Sequence, residues 1–163
     1  MRTRNTPYQI TVPDYREPIS GVVNTAMAAG SLVQLKAGTA TDALELVAAD
    51  GTGKVAILEV EVLSDANWQA HCKLNPQFNP EIRMPVPVGS TVTARFAKEA
   101  EFEGTGYFTA GSIDASSTAG AALKIASGKF SARTLVGERV VGHLGRLIPP
   151  HDSTSFRWTV DFA

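Results

Sequence analysis

Several residue types that usually announce a function are scarce in this chain. It has one cysteine, Cys72, in 163 residues, so no internal disulfide can form and a disulfide-stapled scaffold is excluded. Neither sign of charge is in excess, with 15 Lys and Arg against 16 Asp and Glu. The basic residues are scattered, which argues against a protein held to nucleic acid by counterion release. No apolar run approaches the roughly 18 residues of a membrane-spanning helix. The opening residues also lack the apolar core of a signal peptide. The expectation is a soluble domain made in the cytoplasm, with no nucleic-acid or membrane partner. At this length a single domain buries about two-thirds of the surface its unfolded chain exposes, enough for a core without metal or disulfide staples.

Groups able to do chemistry are equally few. The three histidines are His71, His143 and His151. A nucleophile needs a base within hydrogen-bond reach, and nothing in the spacing brings Cys72 to His143 or His151. His71 and Cys72 are adjacent, but tetrahedral zinc wants spaced pairs of ligands and no second pair exists. Glu99, Glu101 and Glu103 alternate, so on an extended chain they point one way. That suits a cation or a basic partner less well than a charged strand edge that discourages wrong pairing. Gly51-Thr52-Gly53 and Gly104-Thr105-Gly106 lack the third glycine of a dinucleotide fingerprint, and there is no GKS or GKT phosphate loop. Lys129, after Ser127-Gly128, reads as decoration of a hairpin turn. We therefore expect no catalytic residue, no cofactor and no metal ligand, and the reading is of a protein that is not an enzyme.

What is present is a run of short β signals. Residues 1–20 hold three of the nine prolines, Pro7, Pro13 and Pro18. Each fixes φ and lacks an N–H, so the segment reads as an extended N-terminal arm, peripheral and not helical. Within it Ile10 and Val12 alternate with Gln9 and Thr11, the pattern of a strand added to the sheet edge of a partner protein. Residues 21–163 read as one β domain. Val55 to Leu63 is a long β-rich run in which Leu58, Val60 and Val62 alternate with Glu59 and Glu61, and Leu32 to Lys36, Thr91 to Phe96 and Phe156 to Phe162 show period-two alternation, which marks half-buried strands. The last is the cleanest and predicts a C-terminus locked into the core sheet. Helix is expected only over Ser64 to Cys72, capped by Ser64 or Asp65. The stretch from Ala119 to Ala126 fits a short helix or a strand. Pro76, Pro80, Pro85 and Pro87 predict an irregular excursion over residues 74–88, and Ser112 to Gly120 a small-residue loop. The fold class is all-β, mainly β with short helical turns: a compact barrel-like or sandwich-like domain, or a β-tulip-like one.

One resemblance follows from the order of these signals. The proline-bearing arm leads into Gly21-Val22-Val23 and Ala29-Gly30-Ser31-Leu32-Val33-Gln34-Leu35, and a late Val140-Val141-Gly142-His143-Leu144 strand follows. This resembles the head decoration, or capsid cement, proteins of tailed bacteriophages over about residues 21–147. The long excursion at 74–88 departs from the smallest members. The resemblance implies an accessory virion protein on the outer surface of an expanded phage head, partnered with the major capsid protein and assembled as a homotrimer. It implies that the arm makes the contact, through Arg2, Arg4, Tyr8, Ile10, Val12, Tyr15 and Arg16. Two other readings stay open: a different virion β-module, such as a tail, fibre or carbohydrate-binding domain using Trp68 or Trp158, and a small β-barrel hydrolase using Cys72.

Overall fold

The computed structural model describes residues 9–11, 15–37, 44–74, 85–150 and 155–163. In chain order the elements are β1 (Gln9–Thr11), β2 (Tyr15–Val22), β3 (Leu32–Ala37), β4 (Leu44–Ala48), β5 (Ala56–Leu58), β6 (Val62–Leu63) and α1 (Asp65–Leu74). Then come β7 (Val86–Pro87), β8 (Thr91–Ala97), β9 (Glu99–Glu103), β10 (Ala122–Ala126), β11 (Lys129–Ala132), β12 (Gly142–Ile148) and β13 (Arg157–Phe162). The protein is all-β with one short helix. Five strands close into a barrel in the order β2-β4-β3-β5-β8, and six form a second sheet in the order β1-β9-β13-β12-β10-β11.

Alternation along the strands sorts side chains into two cores. Val33, Leu46, Ala56, Leu58, Val92 and Ala94 fill the barrel. On the opposite faces of the same walls, Leu32 and Ile57 join Phe102, Phe108, Phe130, Leu123, Trp158 and Val160 under the six-stranded sheet. This explains why Ala56, Ile57 and Leu58 are all buried: β5 is a wall between two cores, so neither face meets water. Aromatic rings fill the second core edge to face, Phe102 lying 4.5 Å from Tyr107 and 5.2 Å from Phe130 between centroids, the geometry their quadrupoles favour. The Tyr107 hydroxyl donates to the Gly30 carbonyl at 2.8 Å, tying this core to the turn that enters β3. Burial pushes that phenol's pKa far up.

Two expectations change against this architecture. The Val55 to Leu63 run is not one strand. β5 ends at Leu58, Glu59 forms an ion pair with Arg95, and Val62 resumes in a separate two-stranded sheet with β7. There the N–H groups of Val86 and Val88 donate to Glu61 and Leu63, so Pro87 between them falls where the ladder needs no donor. Residues 75–84 of the expected excursion lie outside the described residues. The boundary expected at residue 20 falls inside β2, which pairs with β8 from Tyr15↔Ala97 to Val22↔Thr91. Pro18 is accommodated because β4 joins β2 only at Val22↔Glu45, well beyond the proline. The 119–126 stretch, open between helix and strand, is strand only from Ala122 to Ala126, as β10, with Leu123 and Ile125 buried on one face.

Local signals account for the remaining elements. Trp68 N–H donates to the Ser64 carbonyl at 2.8 Å to open α1, with Asp65 in the first turn and Lys73 in the last matching the helix dipole. β10 and β11 form a hairpin closed by Ser127 (φ 51) and Gly128 (φ 74), both left-handed, as a type I′ turn requires to match strand twist. β12 lies so close to β13 that a Cβ on Gly142 would sit 2.6 Å from the Asp161 carbonyl oxygen, which is why this strand begins with glycine.

Candidate interaction surface

Of the residues expected to contact a capsid, Arg2, Arg4, Tyr8 and Val12 lie outside the described residues, as does His151. Ile10 sits in β1, paired with Glu101 at the outer edge of the six-stranded sheet. Tyr15 and Arg16 belong to β2 of the barrel. The expected set is thus divided between two sheets.

The other residues singled out from the sequence are spread over the molecule. Cys72 is exposed on α1, which packs on β6 and β7, while His143 is exposed on β12 of the other sheet. Glu99, Glu101 and Glu103 share one face of β9, opposite buried Ala100 and Phe102. They do not form an edge, because β9 is flanked by β1 and β13. Glu101 faces Arg157 at 3.8 Å, and Glu103 accepts from the Ser155 hydroxyl at 2.9 Å. Among the described residues, no three His, Cys, Asp or Glu side chains are grouped to hold a metal ion. Trp158 is buried, its indole N–H donating to the Asp114 carbonyl at 2.9 Å. Trp68 is half-buried on α1, its ring stacked 6.5 Å from that of His71.

A different feature stands out on the surface. Between β11 and β12 the chain makes a tight turn, closed by the Glu138 N–H donating to the Leu135 carbonyl at 3.2 Å. Its apex carries Leu135 at 66 % exposure and Val136 at 92 %, the two most exposed large aliphatic side chains among the described residues. The turn is braced from inside. Glu138 accepts from the N–H groups of Thr134 at 3.0 Å and Leu135 at 2.9 Å through one carboxylate oxygen, and from Lys124 Nζ at 2.5 Å through the other. The Arg133 guanidinium donates to the Glu138 carbonyl at 2.9 Å and also to the Val136 carbonyl. With the Lys124 hydrogen bond foremost and the two backbone donors behind it, the Glu138 carboxyl is held at about 2, against an ordinary 4.5.

Beside the turn, Arg139 Nη1 donates to the Thr52 carbonyl at 2.9 Å. Thr52 belongs to a second braced turn. Buried Gln34 donates to Asp50 at 2.6 Å and accepts from the backbone N–H groups of Asp50 and Gly53. Asp50 also accepts from the Thr52 hydroxyl at 2.6 Å, the chief cause of its lowered pKa. The turn at 134–138 does not stand out among the strand signals of the sequence. Its signal is Arg133-Thr134-Leu135-Val136-Gly137-Glu138-Arg139, two aliphatic residues between charges in a strand connection, where polar residues are usual. Compared with protein-family models and with curated proteins, the chain matches none.

Proposed function

We propose that this chain is a structural virion protein that binds the outer surface of an expanded icosahedral phage capsid and stabilises it, with the major capsid protein as partner and a homotrimer as the working form. The observation that carries the reading is where the residues of the resemblance fall. Ala29 to Val33 forms the turn into the barrel, anchored by the Tyr107 hydroxyl on the Gly30 carbonyl. Val140 to Leu144 leads into β12, where Gly142 permits the close approach to β13. The first of these segments thus ties the barrel to the second core, and the second packs two strands of the six-stranded sheet together. The N-terminal strand β1 already lies along a sheet edge, the geometry by which an extended segment attaches to a β partner.

Such a role runs on linkage. A protein that binds the expanded shell and not its precursor stabilises the expanded state by its binding free energy. Three copies joined in one trimer multiply a modest affinity by effective concentration. The test mixes purified protein with empty expanded heads and with unexpanded ones. Saturable co-sedimentation with expanded heads alone, and a higher disruption temperature, are expected. Absence of binding to either rejects the reading, and undiminished binding by a chain lacking residues 1–8 removes Arg2, Arg4 and Tyr8 from the contact.

A further inference from the structure

We infer that the apex of the turn between β11 and β12, Leu135 and Val136, is a preformed docking knob for an apolar pocket rimmed by carboxylates on a protein partner. Under the function proposed above, on which this inference rests, that partner is the major capsid protein. Lys124, Arg133 and Glu138 hold together a turn whose two large aliphatic side chains project into water, away from both cores. An ion pair and four hydrogen bonds spent there contribute no apolar burial within the chain. They fix the shape of an exposed apolar tip, so the ordering cost of binding is met before the partner arrives.

Around the tip stand three cations, Lys124, Arg133 and Arg139, against the carboxylates of Glu138 and, in the adjoining turn beneath Thr52, Asp50. The chain as a whole is net −1, so this local excess of positive charge runs against the average of the molecule. A complementary partner presents acidic groups around an apolar depression. Charged rims of that kind steer encounter and are sensitive to salt, whereas the apolar centre carries the affinity. This is a contact that does not use the N-terminal arm. It gives the molecule two separate points of attachment.

The experiment compares full-length wild type, the double variant Leu135→Ser/Val136→Ser and Arg139→Glu for binding to empty expanded heads at low and moderate salt. Both variants change exposed side chains, and an unchanged melting temperature checks that the fold is kept. Wild-type binding that weakens with salt, falls at least roughly tenfold in the double variant and falls in Arg139→Glu supports the knob. Wild-type binding with both variants equal to it overturns the knob while leaving the decoration reading in place. Wild type that binds no head rejects the decoration reading and, with it, this partner. Sedimentation of the free proteins covers the remaining occupant. Self-association of wild type that is lost in the double variant shows that a second copy covers the tip, and overturns the assignment to the capsid.

Discussion

Ser127 shows how a single residue carries the cost of a turn. It has a φ of 51°, a left-handed conformation that is unfavourable for a side chain unable to bond locally and easier for asparagine. Ser127→Asn is expected to stabilise the fold by about 0.5 kcal/mol, read as a small rise in melting temperature. Gly142 tests the opposite case. Alanine there drives a methyl group to within 2.6 Å of the Asp161 carbonyl oxygen, and separating β12 from β13 costs about 1–3 kcal/mol, measurable as a loss in denaturant midpoint. Glu138 supplies a pH signature. Its folded pKa, about 2, lies below its ordinary 4.5, so the turn's contribution is complete above the unfolded value and is lost as pH falls through the folded one. The amide resonance of Leu135 should therefore shift with a midpoint near 2. A midpoint near 4.5 would mean that the carboxylate is not held.

Among the elements, β5 and β13 bear the most. β5 has three residues, all buried, because each face closes a different core. Ile57→Ala removes side-chain volume from the aromatic core and Leu58→Ala from the barrel, and each is expected to cost about 2–5 kcal/mol in equilibrium unfolding. β13 lies between β9 and β12, so a chain without Trp158 to Phe162 loses both ladders. It is expected to show no native β spectrum by circular dichroism. Its importance was readable beforehand, since Trp158, Val160 and Phe162 alternate with charged or polar residues. The period-two run of β8 and the start of α1 at Ser64 or Asp65 were equally legible. The end of β5 was not. Val55 to Leu58 is continuously apolar and Leu58 to Val62 alternates with Glu59 and Glu61, with no turn residue to mark a break; the strand ends where Glu59 pairs with Arg95, a residue far along the chain.

Across the whole molecule, the shared wall of β3 and β5 predicts one cooperative unit. Leu32 and Ile57 face one core, and Val33, Ala56 and Leu58 the other, so neither can melt without exposing the other. In a Trp68→Phe background, the fluorescence of buried Trp158 and the far-ultraviolet circular dichroism are expected to change together on heating. Two separate transitions would show that the barrel and the sheet are independent. Surface function is legible at this scale only. The residues expected to form one contact, from Arg2 to Arg16, include Ile10 on one sheet and Tyr15 and Arg16 on the other. The exposed pair Leu135 and Val136 drew no notice in a chain where aliphatic residues mostly mark strands. Alternation, turn residues and caps are encoded over a few neighbouring positions, which is why the all-β class, the turn at Ser127-Gly128, the helix start and the buried face of the last strand can be read from the residues in order. Barrel closure, the shared wall and the projection of a braced apolar tip arise from contacts between residues far apart in sequence, and they emerge only once the chain is folded.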